Sequence, residues 1–201
     1  MIKVLNLYAG IGGNRKLWKN VEVTAVEINP NIAKIYQDFF PNDKVIVGDA
    51  HQYLVEHYSE FDFIWTSPPC PSHSRIRKMN VKQNKPIYPD LKLYEEILFL
   101  KGYFKGKWVV ENVISWYDPL IKPFIYKEHY YWSNFVIDGK KRANRNHNSG
   151  VETLEKEKGF DLSKYKNRDK NNTLRNCVEP GAGLYILNSA YKTRQKTMFD
   201  W

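Results

Sequence analysis

Phe61-Asp62-Phe63-Ile64-Trp65-Thr66-Ser67-Pro68-Pro69-Cys70-Pro71 reads as an apolar strand that runs into a stiff, proline-rich loop carrying a cysteine. Proline fixes φ and has no amide hydrogen, so the loop can neither extend the strand nor wind into a helix. Such a loop holds a thiol at the mouth of a sheet, where open α/β folds bind their ligands. By itself the pattern equally suits a tight turn around a buried cysteine. The strands on either side decide between the two.

Working outward, residues 2–8 read as a first strand, followed by the glycine loop Ala9-Gly10-Ile11-Gly12-Gly13 and a short helix at 14–19. Val21 to Ile28 is a second strand ending at Glu27, and Pro30 opens a helix that runs to about Phe39. Lys44 to Val47 is a third strand, closed by Gly48-Asp49-Ala50, and His51 to His57 is helical. Beyond the cysteine, 71–88 is polar and irregular. Asp90 then caps a helix with apolar residues at Leu91, Tyr94, Ile97, Leu98 and Leu100. Lys107 to Val110 is a fifth strand, ending at Glu111-Asn112-Val113; short strands near 130–137 and 183–188 complete the set, and 138–172 is polar and poorly patterned. Strands alternating with helices predict an α/β fold: a Rossmann-like, mostly parallel sheet with helices on both faces.

The 201 residues suit one domain with a proper core, and 42% hydrophobic with 15% aromatic content excludes a disordered chain. No stretch approaches membrane-spanning length. The strand pattern from Lys3 leaves no room for a leader, Cys70 and Cys177 are far apart, and no His/Cys cluster has metal-ligand spacing. The expectation is a reduced, metal-free protein of the cytoplasm with no membrane association. Of the formal charge of +9, residues 1–100 carry 12 Lys/Arg against 11 Asp/Glu, whereas 101–201 carry 19 against 11. The excess is densest in 139–175, with 11 against 5. Aromatic, Asn and Arg residues lie among those lysines, so this half reads as phosphate-facing.

Three strand ends form a nucleoside-shaped set. The glycine loop allows close backbone approach, Glu27 can accept from both ribose hydroxyls, and Asp49 can accept from an adenine amino group. The loop is not G-x-G-x-x-G and no P-loop is present, so an adenosyl cofactor without phosphates fits as well as a dinucleotide.

Leu5-Asn6-Leu7-Tyr8-Ala9-Gly10-Ile11-Gly12-Gly13, Glu27, Gly48-Asp49, Pro68-Pro69-Cys70 and Glu111-Asn112-Val113 occur in an order and spacing that resemble the DNA cytosine-5 methyltransferase family. Arg175-Asn176-Cys177-Val178 looks like that family's last motif, which returns beside the glycine loop. The resemblance covers essentially the whole chain. It implies the class I methyltransferase fold and S-adenosylmethionine as cofactor, bound by Tyr8, Ala9, Gly10, Gly12, Gly13, Glu27, Ile28, Asp49, Ala50, Pro68, Asn176 and Val178. It implies Cys70 as a nucleophile adding to carbon 6 of cytosine and Glu111 as the acid that protonates the ring nitrogen, on double-stranded DNA with the base swung out. Pro69, Ser72, Ser74, Arg75, Arg77, Asn112, Arg142 and Arg145 would face that substrate, with Arg75, Arg77 or His73 lowering the thiol's pKa. Residues 1–134 and 173–201 would form the catalytic domain and 135–172 a short basic target-recognition region. The source expected is bacterial or phage-encoded.

The pattern departs from the family in places. Asn6 stands where aspartate is usual, and Thr66-Ser67 where glycines are usual. The arginine-bearing motif is not intact: Lys127-Glu128-His129-Tyr130-Tyr131-Trp132-Ser133-Asn134 takes its place, with Arg142 and Arg145 following as substitutes, and 127–134 is assigned no catalytic role. A recognition region this short leaves target choice relaxed, or supplied by a protein partner. The competing readings are an amino-group methyltransferase, whose Ser-Pro-Pro loop is followed by an aromatic rather than by Cys70, a non-catalytic DNA-binding relative, and an enzyme acting on RNA.

Overall fold

The protein is described by a computed structural model covering residues 1–79, 85–138, 150–166 and 169–192. Seven strands form one sheet: β1 (Ile2–Leu7), β2 (Val21–Glu27), β3 (Lys44–Val47), β4 (Phe63–Thr66), β5 (Lys107–Val113), β6 (Phe124–Tyr126) and β7 (His129–Ser133). Their order is β3-β2-β1-β4-β5-β7-β6; the first five are parallel, and β7 runs antiparallel to both β5 and β6. The expected Rossmann-like α/β architecture is therefore present. The chain builds outward from β1 to β3 and then returns to lay β4 on the other side of β1. A crevice opens where the order reverses, outside the carboxyl ends of β1 and β4.

Alternation along each strand feeds a separate core on each face. On one face α2 (Ala50–His57) and α4 (Lys92–Tyr103) place Leu54, Leu93, Ile97 and Leu100 on Leu5, Leu7, Ile64 and Val110. On the other, Trp18 and α7 (Pro180–Tyr191) cover Val4, Val23, Phe63, Trp65 and Val109. A third cluster joins α1 (Pro30–Phe39) to α5 (Val151–Lys158) and α6 (Lys170–Arg175) through Ile35, Tyr36, Leu154, Phe160, Leu162 and Leu174. Two caps fix helix starts beside the crevice. Asn29 accepts from the Asn31 and Ile32 amides ahead of α1, and Asp49 from His51 and Gln52 ahead of α2.

Several expectations are corrected. Residues 183–188 are not a strand but the middle of α7, where Ala182, Gly183, Ile186, Leu187 and Ala190 are buried at helical spacing behind Pro180 in the first turn. The sheet is completed by the hairpin of β6 and β7 instead, and β7 stops at Ser133 rather than 137. The polar stretch 138–172 holds α5 and the start of α6. In α4 the inward stripe is Leu93, Tyr94, Glu96, Ile97 and Leu100, while Leu91 and Leu98 face solvent. Asp90 does support the start of α4, accepting from the Lys92 amide at 3.1 Å. A short helix, α3 (Ile76–Met79), lies in the irregular segment after the cysteine.

The fit of α7 is tight at Gly183, where an added Cβ would run into the Asn14 backbone. Gly183→Ala is expected to cost about 1–3 kcal/mol of stability through this overpacking. The check is the urea midpoint, and an unshifted midpoint would mean that α7 does not seat on the segment after the glycine loop.

Candidate active site

Four carboxyl-side strand ends and the start of α2 converge on the crevice. β1 is followed by Tyr8, whose φ of 54° puts a non-glycine residue in the left-handed region, where Gly10 also lies at φ 54°. Such a backbone costs about 1–3 kcal/mol and persists only where its surroundings hold it. Part of that hold comes from Glu27 at the end of β2: Oε2 accepts from the Gly10 amide at 3.0 Å and Oε1 from the Asn29 amide at 2.9 Å. Each oxygen keeps a lone-pair direction for a further donor. A Cβ on Gly10 would meet nothing within 4 Å, so the space over the loop is open. Asp49 is exposed; its Oδ1 takes the His51 and Gln52 amides, which hold its carboxyl below the ordinary 3.8 and ionised at neutral pH. Ala9, Gly12, Gly13 and Ala50 are buried around this cradle, and Ile28 stands at its rim, 69% exposed. Open space over a glycine turn flanked by two carboxylates fits the nucleoside end of S-adenosylmethionine.

The C-terminal segment closes the loop from behind. A Cβ on Gly13 would strike the Val178 carbonyl and the Cys177 sulfur, so residues 13 and 177–178 are in direct contact. Val178 is half-buried there, while Asn176 is exposed at the end of α6. Asn6 is fully buried and exchanges amide hydrogen bonds with Asn14 at 2.8 and 3.3 Å.

The proline loop lies beside the end of β5. Pro68 is buried, Pro69 exposed and Cys70 half-buried. The Asn112 amide donates to the Pro68 carbonyl at 2.9 Å, and the Asn112 side-chain oxygen accepts from the Val113 amide. The Cys70 carbonyl accepts from the His73 and Ser74 amides, so the chain turns back immediately after the thiol. Burial first, and the Glu111 carboxylate second, push the thiol above its ordinary 9.0. This corrects the expectation that Arg75, Arg77 or His73 would lower it. Arg75 is exposed, Arg77 donates to the Lys85 carbonyl, and His73 is buried against the Tyr117 hydroxyl at 2.7 Å. Burial holds His73 below 6.5 and so uncharged at neutral pH.

Glu111 is buried opposite Tyr131 in the β5–β7 ladder, and His129 Nε2 lies 3.5 Å from its Oε1. Ser72 and Ser74 are bound internally: the Ser72 hydroxyl accepts from the Asp90 amide at 3.0 Å, and Ser74 bridges to Ser115. Arg142 and Arg145 lie outside the described residues.

Two features of the site were not read from the sequence. His129 belongs to the segment given no role, and only the antiparallel ladder brings it to Glu111. Glu96 is fully buried and receives the Tyr8 and Thr66 hydroxyls, both at 2.6 Å. Its signal was present, since an acid between Leu93 and Leu100 sits on the inward stripe of α4. Among the described residues, no group of three or more His, Cys, Asp or Glu has metal-binding geometry, and no helix is long and apolar enough to cross a membrane.

A family model of C-5 cytosine-specific DNA methylases matches residues 2–115. No curated protein matches the chain. Among solved structures, a mutant of DNMT2 from Spodoptera frugiperda is 23% identical with a TM-score of 0.47, over 72% of this chain and 54% of that one. The methyltransferase EhMeth of Entamoeba histolytica is 16% identical with a TM-score of 0.46, over 78% of this chain and 65% of that one. The chain thus spans about half the length of the first of these.

The raised thiol has a direct readout, because alkylation follows the thiolate fraction. Iodoacetamide is expected to modify Cys70 slowly at pH 7 and to speed up as pH passes 9. Glu111→Gln, which removes the carboxylate that raises the thiol, moves that rise to lower pH. Cys177, buried with its thiol pushed up to about 11, stays unmodified in the folded protein. Identical profiles for wild type and Glu111→Gln would show that the carboxylate does not act on the thiol.

Proposed function

This chain belongs to the family of C-5 cytosine-specific DNA methylases, and on that premise we propose that it transfers a methyl group from S-adenosylmethionine to carbon 5 of cytosine in double-stranded DNA. The observation that carries the reading is the pairing of a half-buried Cys70 with a buried Glu111 at adjacent strand ends, locked by the bond from Asn112 to Pro68.

Carbon 5 of cytosine is a poor nucleophile. Cys70 is assigned to add through sulfur at carbon 6, which turns the ring into an enamine and makes carbon 5 nucleophilic. Glu111 is assigned to give a proton to the ring nitrogen and to accept from the exocyclic amino group, so that no full negative charge builds on the ring. A proton passed from the thiol to Glu111 removes the carboxylate charge that, second to burial, raises the thiol, and the same proton is then available for the ring nitrogen. S-adenosylmethionine, when bound, supplies an electrophilic sulfonium methyl. Glu27 and Asp49 would hold its ribose and adenine, with Tyr8, Ala9, Gly10, Gly12, Gly13, Ile28, Ala50, Pro68, Asn176 and Val178 around it. Stacking hides these carbons within a duplex, so the base must rotate out. Arg75, Arg77, Arg142 and Arg145 would meet phosphates, and Pro69, Ser72, Ser74 and Asn112 would line the base pocket.

In this reading residues 1–134 and 173–201 do the chemistry, and 135–172 select the target, alone or with a protein partner. The described part of that region is anchored to α1 by Leu154, Phe160 and Leu162, which gives it a fixed base from which to reach DNA.

Cys70→Ser is expected to abolish methyl transfer while cofactor binding stays nearly intact, and a duplex containing 5-fluorocytosine should trap a covalent adduct in the wild type. Active enzyme with no adduct would favour the amino-group mechanism, and a Cys70→Ser variant at full rate would end the thiol mechanism. Glu27→Ala should weaken cofactor binding by about 1–3 kcal/mol through loss of charge-assisted hydrogen bonds. Titration calorimetry reads this directly, and an unchanged affinity would remove Glu27 from the cofactor site.

A further inference from the structure

The fully buried carboxylate of Glu96 has no part in the reading above. Oε1 accepts from the Tyr8 hydroxyl at 2.6 Å and Oε2 from the Thr66 hydroxyl at 2.6 Å, while His51 Nδ1 lies 3.0 Å from Oε1. These donors come from three places that frame the crevice. Tyr8 follows β1, Thr66 ends β4 just before the proline loop, and His51 lies two residues past Asp49 in α2. A carboxylate this deep is costly unless its charge is answered and its oxygens are bonded, and short charge-assisted bonds place their donors more firmly than neutral ones do. Tyr8 needs such a hold, because its left-handed backbone at φ 54° does not maintain itself.

Resting on the cofactor role proposed for Tyr8, we infer that Glu96 is a positioning residue of the cofactor cleft, fixing the Tyr8 ring through its hydroxyl, and that it does so most firmly while His51 carries a proton. The groups facing His51 are Glu95, whose Oε2 is 3.5 Å from Nε2, together with Glu96 and Lys92 on α4 and Asp49 at the head of its own helix, while the Tyr8 hydroxyl bonds the same Glu96 oxygen. The bond to Glu96 raises the His51 pKa above the ordinary 6.5, against the opposing effect of burial. The ion pair is therefore complete below 6.5 and is lost as pH climbs through the raised value. The neutral imidazole then leaves a buried carboxylate without a countercharge, and the bond to Tyr8 loosens.

The test measures KM and kcat for S-adenosylmethionine, and its Kd by calorimetry, from pH 6 to pH 9 in wild type, Tyr8→Phe, Glu96→Gln and His51→Gln, with melting temperatures alongside. The expected result is a cofactor KM and Kd raised about tenfold in Tyr8→Phe and Glu96→Gln, with the loss falling on KM rather than kcat. The cofactor's own α-amino group titrates near pH 8, so the pH reading is the difference between wild type and His51→Gln. Wild-type affinity should fall more steeply toward pH 9 than that of His51→Gln. If Glu96→Gln does not fold, Tyr8→Phe, which removes a single hydroxyl, decides the matter. Lowered melting temperatures with unchanged KM and parallel pH profiles would overturn the inference and leave the methyltransferase reading standing. Wild type that binds no cofactor would overturn the reading and the inference together.

Discussion

The hydrogen bond from the Asn112 amide to the Pro68 carbonyl is the constraint on which the site depends. A loop containing Pro68, Pro69 and Pro71 has few amide hydrogens with which to tie itself down, so it must be held through its carbonyls. Asn112 supplies the donor from the neighbouring strand, and its own side-chain oxygen is fixed by the Val113 amide. The same residue thereby sets the place of the loop that bears Cys70 and marks the strand end that bears Glu111. The thiol and the carboxyl are brought together by the parallel register of β4 and β5, and this one side chain keeps the loop from drifting off that register.

Three acids of the crevice, Glu27, Asp49 and Glu96, share a second property: each is partly spent on holding the structure around it. Glu27 holds the amide of Gly10, Asp49 starts α2, and Glu96 gathers the ends of β1 and β4. A cleft built this way is shaped before any ligand arrives, which reduces the ordering cost of binding. Fixed negative charge also suits a ligand that carries a sulfonium.

The five parallel strands were legible because each apolar run is short and bounded by turn or loop residues, and the Pro-Pro-Cys and Glu-Asn-Val strand ends pointed to the candidate site. Gly183 to Asn188 was misread because a short apolar run looks the same in a strand and in a buried helix, and Pro180, less than a turn earlier, was the signal to weigh. Helix α5 escaped because its inward face, Val151, Leu154 and Lys158, is only in part apolar, so its helical spacing leaves little hydrophobic trace. The thiol's surroundings were misjudged for a different reason. Arg75 and Arg77 are close in sequence, but the turn closed by the Cys70 carbonyl sends the chain away, and the group that acts on the sulfur is 41 positions downstream. Proximity along a chain is a poor guide to an electrostatic neighbour once a tight turn intervenes.

The contact between Gly13 and Val178 joins points separated by 165 positions. Closing so long a loop is an entropic cost met late, after local helices and neighbouring strands have formed. The wall behind the glycine turn is thus finished by a segment made long after the turn itself. A nascent or clipped chain ending before Cys177 would display the thiol, the carboxyl and the glycine turn, yet it would lack the backing that gives the turn its shape. Arrival of Cys177 and Val178, rather than possession of the earlier motifs alone, is what gives the glycine turn its backing.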